Sequence, residues 1–194
     1  MHEGGLFGAD VPAGFRYRPD FITGADEQAL LTAVAAIEFS AFEMRGVVAK
    51  RRVAFFGRSY DNNGAKTPPI PAFLLPCRDR LAEWIGVRPD AFAMALVNEY
   101  REGAPIGWHR DAPQYDLVAG ISLLSACRMK LRPYVSPKNL AAATGTRRTA
   151  THEITLEPRS AYLLSGEART DYEHHIPPAA SPRYSITFRT LRGN

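Results

Sequence analysis

The chain has 194 residues, 45% hydrophobic and 23% charged, and its 24 Lys+Arg against 20 Asp+Glu give a formal net charge of +4. This balance excludes a disordered or fibrous chain and fits one domain spanning residues 1–194. The small positive excess admits an anionic partner without requiring one. Two cysteines, Cys77 and Cys127, make no disulfide framework. With no stretch near the ~18 apolar residues of a membrane span and no secretory leader, the expected setting is a reduced cytoplasm, with no membrane and no obligate protein partner, hence a monomer.

Residues 1–22, rich in Gly, Pro and aromatics, read as an irregular arm. Thr23, with Asp26 three residues later, is a helix N-cap signal, and the spacing of Leu30, Val34 and Ile37 predicts a helix over 25–38. Lys50-Arg51-Arg52-Val53-Ala54-Phe55-Phe56-Gly57-Arg58-Ser59-Tyr60 is either a strand with a solvated basic end or a basic, aromatic lip suited to phosphates and stacked bases. A second helix fits 71–85, with Pro71 at its start, Gly86 at its end, and a stripe of Phe73, Leu74, Cys77, Leu81 and Trp84 between. From residue 91 the helical period gives way to alternation, with Phe92, Met94, Leu96, Asn98 and Tyr100 on one face. Strand-like runs follow at 119–125, 127–133, 151–157, 160–165 and 183–191, and 134–150 reads as a long exposed hairpin connection. The pattern predicts a mainly β, α+β fold: a sandwich, jelly roll or barrel with two helices over one face.

Five histidines are present, and one of them, His109, stands two residues from Asp111. On a strand, i and i+2 project to the same face, so this pair can take two adjacent positions on one metal ion. Glu173, His174 and His175, 65 residues on, are candidates for a third ligand. Two His and one carboxylate form the facial triad of non-haem Fe(II) oxygenases, which leaves positions open for substrate and oxygen. Residues 183–189 alternate strictly: Tyr184, Ile186 and Phe188 form a core face, and Arg183, Ser185, Thr187 and Arg189 form the other. Two arginines turned into a barrel require anions, and a short dicarboxylate could bridge them.

In order along the chain, Val97-Asn98-Glu99-Tyr100, His109-Arg110-Asp111, Ser165-Gly166-Glu167-Ala168-Arg169, His174-His175-Ile176-Pro177-Pro178 and Arg183-Tyr184-Ser185-Ile186-Thr187-Phe188-Arg189 resemble the AlkB-type branch of the Fe(II)/2-oxoglutarate-dependent dioxygenases. The motifs span about half the chain, residues 91–194. The resemblance implies a double-stranded β-helix (jelly-roll) core over 91–194, with residues 1–90 as an extension holding two helices and a substrate lid. It implies Fe(II), 2-oxoglutarate and O₂, with His109, Asp111 and His174 as metal ligands and catalytic centre, His175 occupying a variable position. For 2-oxoglutarate it implies Asn98, Tyr100, Ser185, Thr187, Arg183 at the distal carboxylate and Arg189 near the chelating end. Ser185 stands where many relatives carry Asn, and the four residues after Asp111 lack the second acid that some relatives place near the base. The implied reaction is oxidative dealkylation of N-alkylated bases in single-stranded or duplex DNA or RNA. Arg51, Arg52, Phe56, Arg58, Tyr60 and Trp108 are the candidates for contact with substrate. A protein or small-molecule hydroxylase, and an inert jelly-roll binding module, are the competing readings.

Overall fold

The computed structural model describes residues 11–44, 47–58, 67–136 and 151–193. Expectations for Tyr60 and for most of the 134–150 connection fall outside these residues.

Two antiparallel sheets face each other. The larger has seven strands in the order β1 (Phe15–Arg18), β9 (Ala161–Leu164), β6 (Tyr115–Leu123), β11 (Arg183–Leu191), β4 (Phe92–Tyr100), β3 (Val47–Gly57) and β2 (Ser40–Met44). The smaller runs β5 (Ile106–His109), β10 (Tyr172–Ile176), β7 (Cys127–Pro133) and β8 (His152–Leu156). Tyr100, Val118, Tyr162 and Leu164 of the large sheet pack against Met129, Leu131, Ile154, Leu156 and Ile176 of the small one, closing a jelly roll.

Helices α1 (Gly24–Ala35) and α2 (Leu75–Ile85) cover the outer face of the large sheet. Leu30, Val34, Leu74, Cys77 and Leu81 pack there with Ala54, Val97, Ile186 and Phe188. Thr23 and Asp26 complete a reciprocal capping box at the start of α1. Gly86 ends α2 in the left-handed conformation (φ 81°), which a glycine adopts without steric cost.

Several boundaries differ from expectation. The arm contains β1, which pairs along its whole length with β9. The first helix stops at Ala35, short of Ile37, and the second opens with a 3₁₀ turn over Ala72–Leu74. Strand β6 begins at Tyr115 and ends at Leu123, where Leu124 turns to φ 75°. Strand β3 pairs with β4, so the large sheet draws strands from both sides of residue 90. Both cysteines are buried and free. Among the described residues no helix is long and apolar enough to cross a membrane.

Candidate active site

His109 closes β5, and His174 is its direct cross-strand partner on β10. Their ring centroids lie 4.2 Å apart. Asp111 follows just past the end of β5, so the chain delivers three donors to one point. One ligand atom from each of His109, Asp111 and His174 lies within 4.8 Å of the others. His109 Nδ1 is 2.8 Å from the Gly107 carbonyl oxygen. A carbonyl only accepts, so Nδ1 carries the proton and Nε2 keeps its lone pair for a metal.

Burial opposes charge on Asp111, but the Arg189 guanidinium outweighs it and holds the carboxyl well below the usual range. Arg189 Nε and Nη2 both donate to Asp111 Oδ1, at 3.0 and 2.7 Å. Burial, reinforced by His109, pushes His174 down to about 3, and burial lowers His109 as well. At neutral pH the cluster is therefore one carboxylate and two neutral imidazoles, the protonation state in which these groups bind Fe(II).

Arg169, on the short helix α3 (Gly166–Thr170), is 5% exposed and donates to the carbonyls of Asp111, Ala112 and Tyr115 at 3.3, 2.7 and 2.8 Å. It pins the loop that carries the carboxylate. Its motif stands out in the sequence, but nothing there shows which carbonyls Arg169 meets.

The inner face of β11 supplies the second half of the site. Arg183 lies opposite Tyr100, its guanidinium carbon 4.6 Å from that ring's centroid, and its Nη2 donates to Ser122 Oγ at 3.0 Å. The residue is 1% exposed, and its Nε and Nη1 have no hydrogen-bond partner. A buried cation with two idle donors is costly until an anion meets it, so the cradle fits a carboxylate. Asn98 Nδ2 donates to Ser185 Oγ (3.3 Å), and Thr187 Oγ1 accepts from Arg189 Nη1 (2.9 Å). Tyr162, whose phenol burial pushes up, also lies near Tyr100 and Arg183. Its ring lies against Gly120, where a Cβ would come within 2.5 Å. A glycine inside a strand was the available signal for that close approach.

The substrate candidates divide by strand parity. Val53, Leu96, Met94 and Tyr115 form a cluster on the site face, with Phe42, Phe55 and Ala112 packed against it. Arg51 belongs to this face: its Nε donates to Asn98 Oδ1 (3.3 Å), its guanidinium lies 4.4 Å over Phe42, and its charge acts on His109. Phe56 instead packs into the helix-covered core, and Arg52 pairs with Glu99 on that far face. Both corrections follow from the register that sets Phe55 opposite Leu96 and Arg52 opposite Glu99. Arg58 is exposed at the end of β3, near enough to Tyr115 for its charge to act on the phenol. Trp108 is a further correction: neighbouring strand residues face opposite ways, so it lies across β5 from His109 and stacks on His175. Phe42 and Phe55 are the aromatics that sequence reasoning did not assign to the site.

A jelly roll with a buried His–Asp–His cluster has the donor set of a mononuclear non-haem iron oxygenase, and the buried arginine on β11 suits a carboxylate. The family model described as "2OG-Fe(II) oxygenase superfamily" matches residues 19–189, and the chain belongs to that family. An Arabidopsis thaliana protein named "Alkylated DNA repair protein ALKBH8 homolog" is 30% identical over 205 residues, 91% of this chain and 58% of that protein. The chain thus spans somewhat over half of that relative's length. Its match supports the AlkB-type assignment. Among solved structures, OsALKBH1 superposes with a TM-score of 0.65 at 15% identity, covering 94% of this chain and all of that one. A Trichoplax adhaerens prolyl hydroxylase, solved with a hypoxia inducible factor peptide, gives 0.62 at 18% identity over 92% of this chain and 83% of that one. At these identities the two structures bear on fold alone. The protein is a 2-oxoglutarate-dependent dioxygenase that uses Fe(II), 2-oxoglutarate and O₂.

Proposed function

We propose that this dioxygenase oxidatively dealkylates N-alkylated nucleic-acid bases. The observation that carries the reading is the site-facing wall of Phe42, Phe55 and Arg51, whose cluster reaches Ala112 beside Asp111. A flat, unstacked base takes aromatic neighbours, and its phosphates take cations. The Arabidopsis relative's name, an alkylated DNA repair protein, supports the same substrate class.

In this reading His109 Nε2, an Asp111 oxygen and His174 would hold the iron. Arg189 orients Asp111 and keeps it ionised. Arg183, with Tyr100 and Ser122 beside it, receives the distal carboxylate of 2-oxoglutarate, and Asn98, Ser185 and Thr187 line the face between the two arginines. Iron held there, with 2-oxoglutarate and O₂, would supply the oxidation of the N-alkyl carbon that releases succinate, CO₂, an aldehyde and the free base. The chain's part is to orient these groups and to exclude water, which the burial of Asp111, Arg183 and Arg189 accomplishes.

The test compares methylated single strands, duplexes, free nucleosides and peptides at fixed salt, with Fe(II) and 2-oxoglutarate. Single strands are expected to react fastest, because an unpaired base avoids the few kcal/mol of unstacking that flipping requires. Brisk succinate formation with every oligonucleotide unaltered would transfer the enzyme to a protein or small-molecule substrate.

A further inference from the structure

Strand β5 is four residues long, lies at the sheet edge and has one neighbour, β10. Their ladder is irregular: His109 faces His174 and Ile106 faces Ile176, so three steps on β5 match two on β10. A bulged edge strand holds its register weakly unless something outside the ladder fixes it. This one ends in His109, and Asp111 follows two residues later.

Both carbonyls at the start of the bulge meet a histidine ring. The Ile106 carbonyl oxygen lies 2.6 Å from His175 Nδ1, and the Gly107 carbonyl oxygen lies 2.8 Å from His109 Nδ1. Each is an acceptor, so each Nδ1 donates. On the face away from the cluster, the His175 ring stacks on Trp108 with centroids 5.0 Å apart and planes 29° from parallel. The Arg132 guanidinium covers the indole at 4.1 Å and is itself paired with Glu173. An unbroken series of contacts therefore runs from the outer face, through the bulge backbone, to the nitrogen that sets the tautomer and direction of His109.

We propose that His175, backed by Trp108, is a positioning residue that clamps the β5 bulge and so presets His109 for the metal. The proposal rests on the reading of His109, Asp111 and His174 as ligands. It assigns a task to the second histidine of the Glu-His-His run without making it a ligand. His175 fastens the carbonyl next to the one that orients His109, as partners of metal-bound imidazoles do one step closer in.

The experiment uses Co(II) alone as probe on the full chain, together with amide hydrogen exchange over residues 104–111 of the metal-free protein. His175→Ala and His175→Phe, the second keeping a ring but no donor, are expected to weaken Co(II) binding by about tenfold, the low end for residues that orient ligands. They should also speed exchange in 104–111 and leave the large sheet unchanged. His175→Gln, which restores an N–H donor, should recover part of the affinity, and Trp108→Leu should reproduce the loss in milder form. At saturation the Co(II) absorption envelope should match the wild type in His175→Ala and change in His174→Ala, since only the latter loses a ligand. His175→Ala binding Co(II) as tightly as wild type would overturn the clamp and leave the metal reading standing. Faster exchange throughout both sheets would reduce His175 to a general fold residue and overturn it equally. A wild-type chain that takes up no Co(II) would overturn the ligand reading and the clamp with it.

Discussion

His109, Asp111 and His174 supply one donor each, and no other described carboxylate or imidazole belongs to their cluster. His109→Ala, Asp111→Ala and His174→Ala should each abolish iron-dependent succinate release, whereas His175→Ala should turn over once iron is saturating. Succinate assays across an Fe(II) titration check both statements. Arg183 makes a second demand, because its buried Nε and Nη1 await an anion. Arg183→Ala should raise the 2-oxoglutarate requirement by an amount equivalent to about 2–5 kcal/mol, the cost of stripping a buried carboxylate of its charged partner. Titrating 2-oxoglutarate against the charge-transfer band of the iron complex reads this directly. The shared face of Arg183 and Arg189 was legible in the sequence, because alternation along β11 places them together; the approach of Asp111 to His109 was legible only as a spacing, since Asp111 lies past the end of β5 in a loop that Arg169 holds. Ser122, Tyr162 and Arg169 were not legible: each acts through a contact 54 or more residues away in sequence, or through the space left by Gly120.

Strand β3 shows why the substrate side was harder to read than the metal side. Phe55 and Phe56 are adjacent and chemically identical, and only pairing with β4 decides which of them meets the site. A one-residue change of register would exchange them and would exchange Arg51 with Arg52. Phe55→Ala and Phe42→Ala should therefore lower turnover of a methylated oligonucleotide and leave 2-oxoglutarate affinity unchanged. Phe56→Ala should act on stability, by about 2 kcal/mol for a half-buried ring, without a selective loss on nucleic acid. Thermal melts beside oligonucleotide kinetics separate the two outcomes. The helices were readable from the Thr23/Asp26 box and from Gly86, because these are local chemistry. Strands β1 and β2 were not, because four or five residues carry little periodic signal, and the partner of β1 lies far along the chain in β9.

Across the whole molecule, a buried cluster of neutral imidazoles couples stability to pH. His174 is pushed from an ordinary 6.5 to about 3 by burial, so below pH 6.5 the unfolded chain binds a proton that the folded chain refuses. The stability of the metal-free protein must then fall as pH drops from about 6.5 toward 3, by about 2 kcal/mol at pH 5 for this group. His109 is shifted downward too and adds in the same direction. Asp111, held low by Arg189, contributes stability above its ordinary 3.8 that is lost only in stronger acid, so it does not shape this window. Melting curves of the metal-free chain between pH 7 and 5 should show the decline. His174→Leu should flatten it, and Co(II) should restore stability by binding the folded form alone.

The proposed reaction calls on the cluster, the buried arginine and the site-facing aromatics together. The direct measurement is mass spectrometry of a single turnover under ¹⁸O₂ with Fe(II), 2-oxoglutarate and an N-methylated single-stranded oligonucleotide. The expected result is succinate carrying one ¹⁸O atom, formaldehyde, and an oligonucleotide lighter by one methylene in equal amount. Labelled succinate beside an oligonucleotide of unchanged mass would contradict the assignment to nucleic acid. Unlabelled 2-oxoglutarate recovered intact would contradict the catalytic site itself.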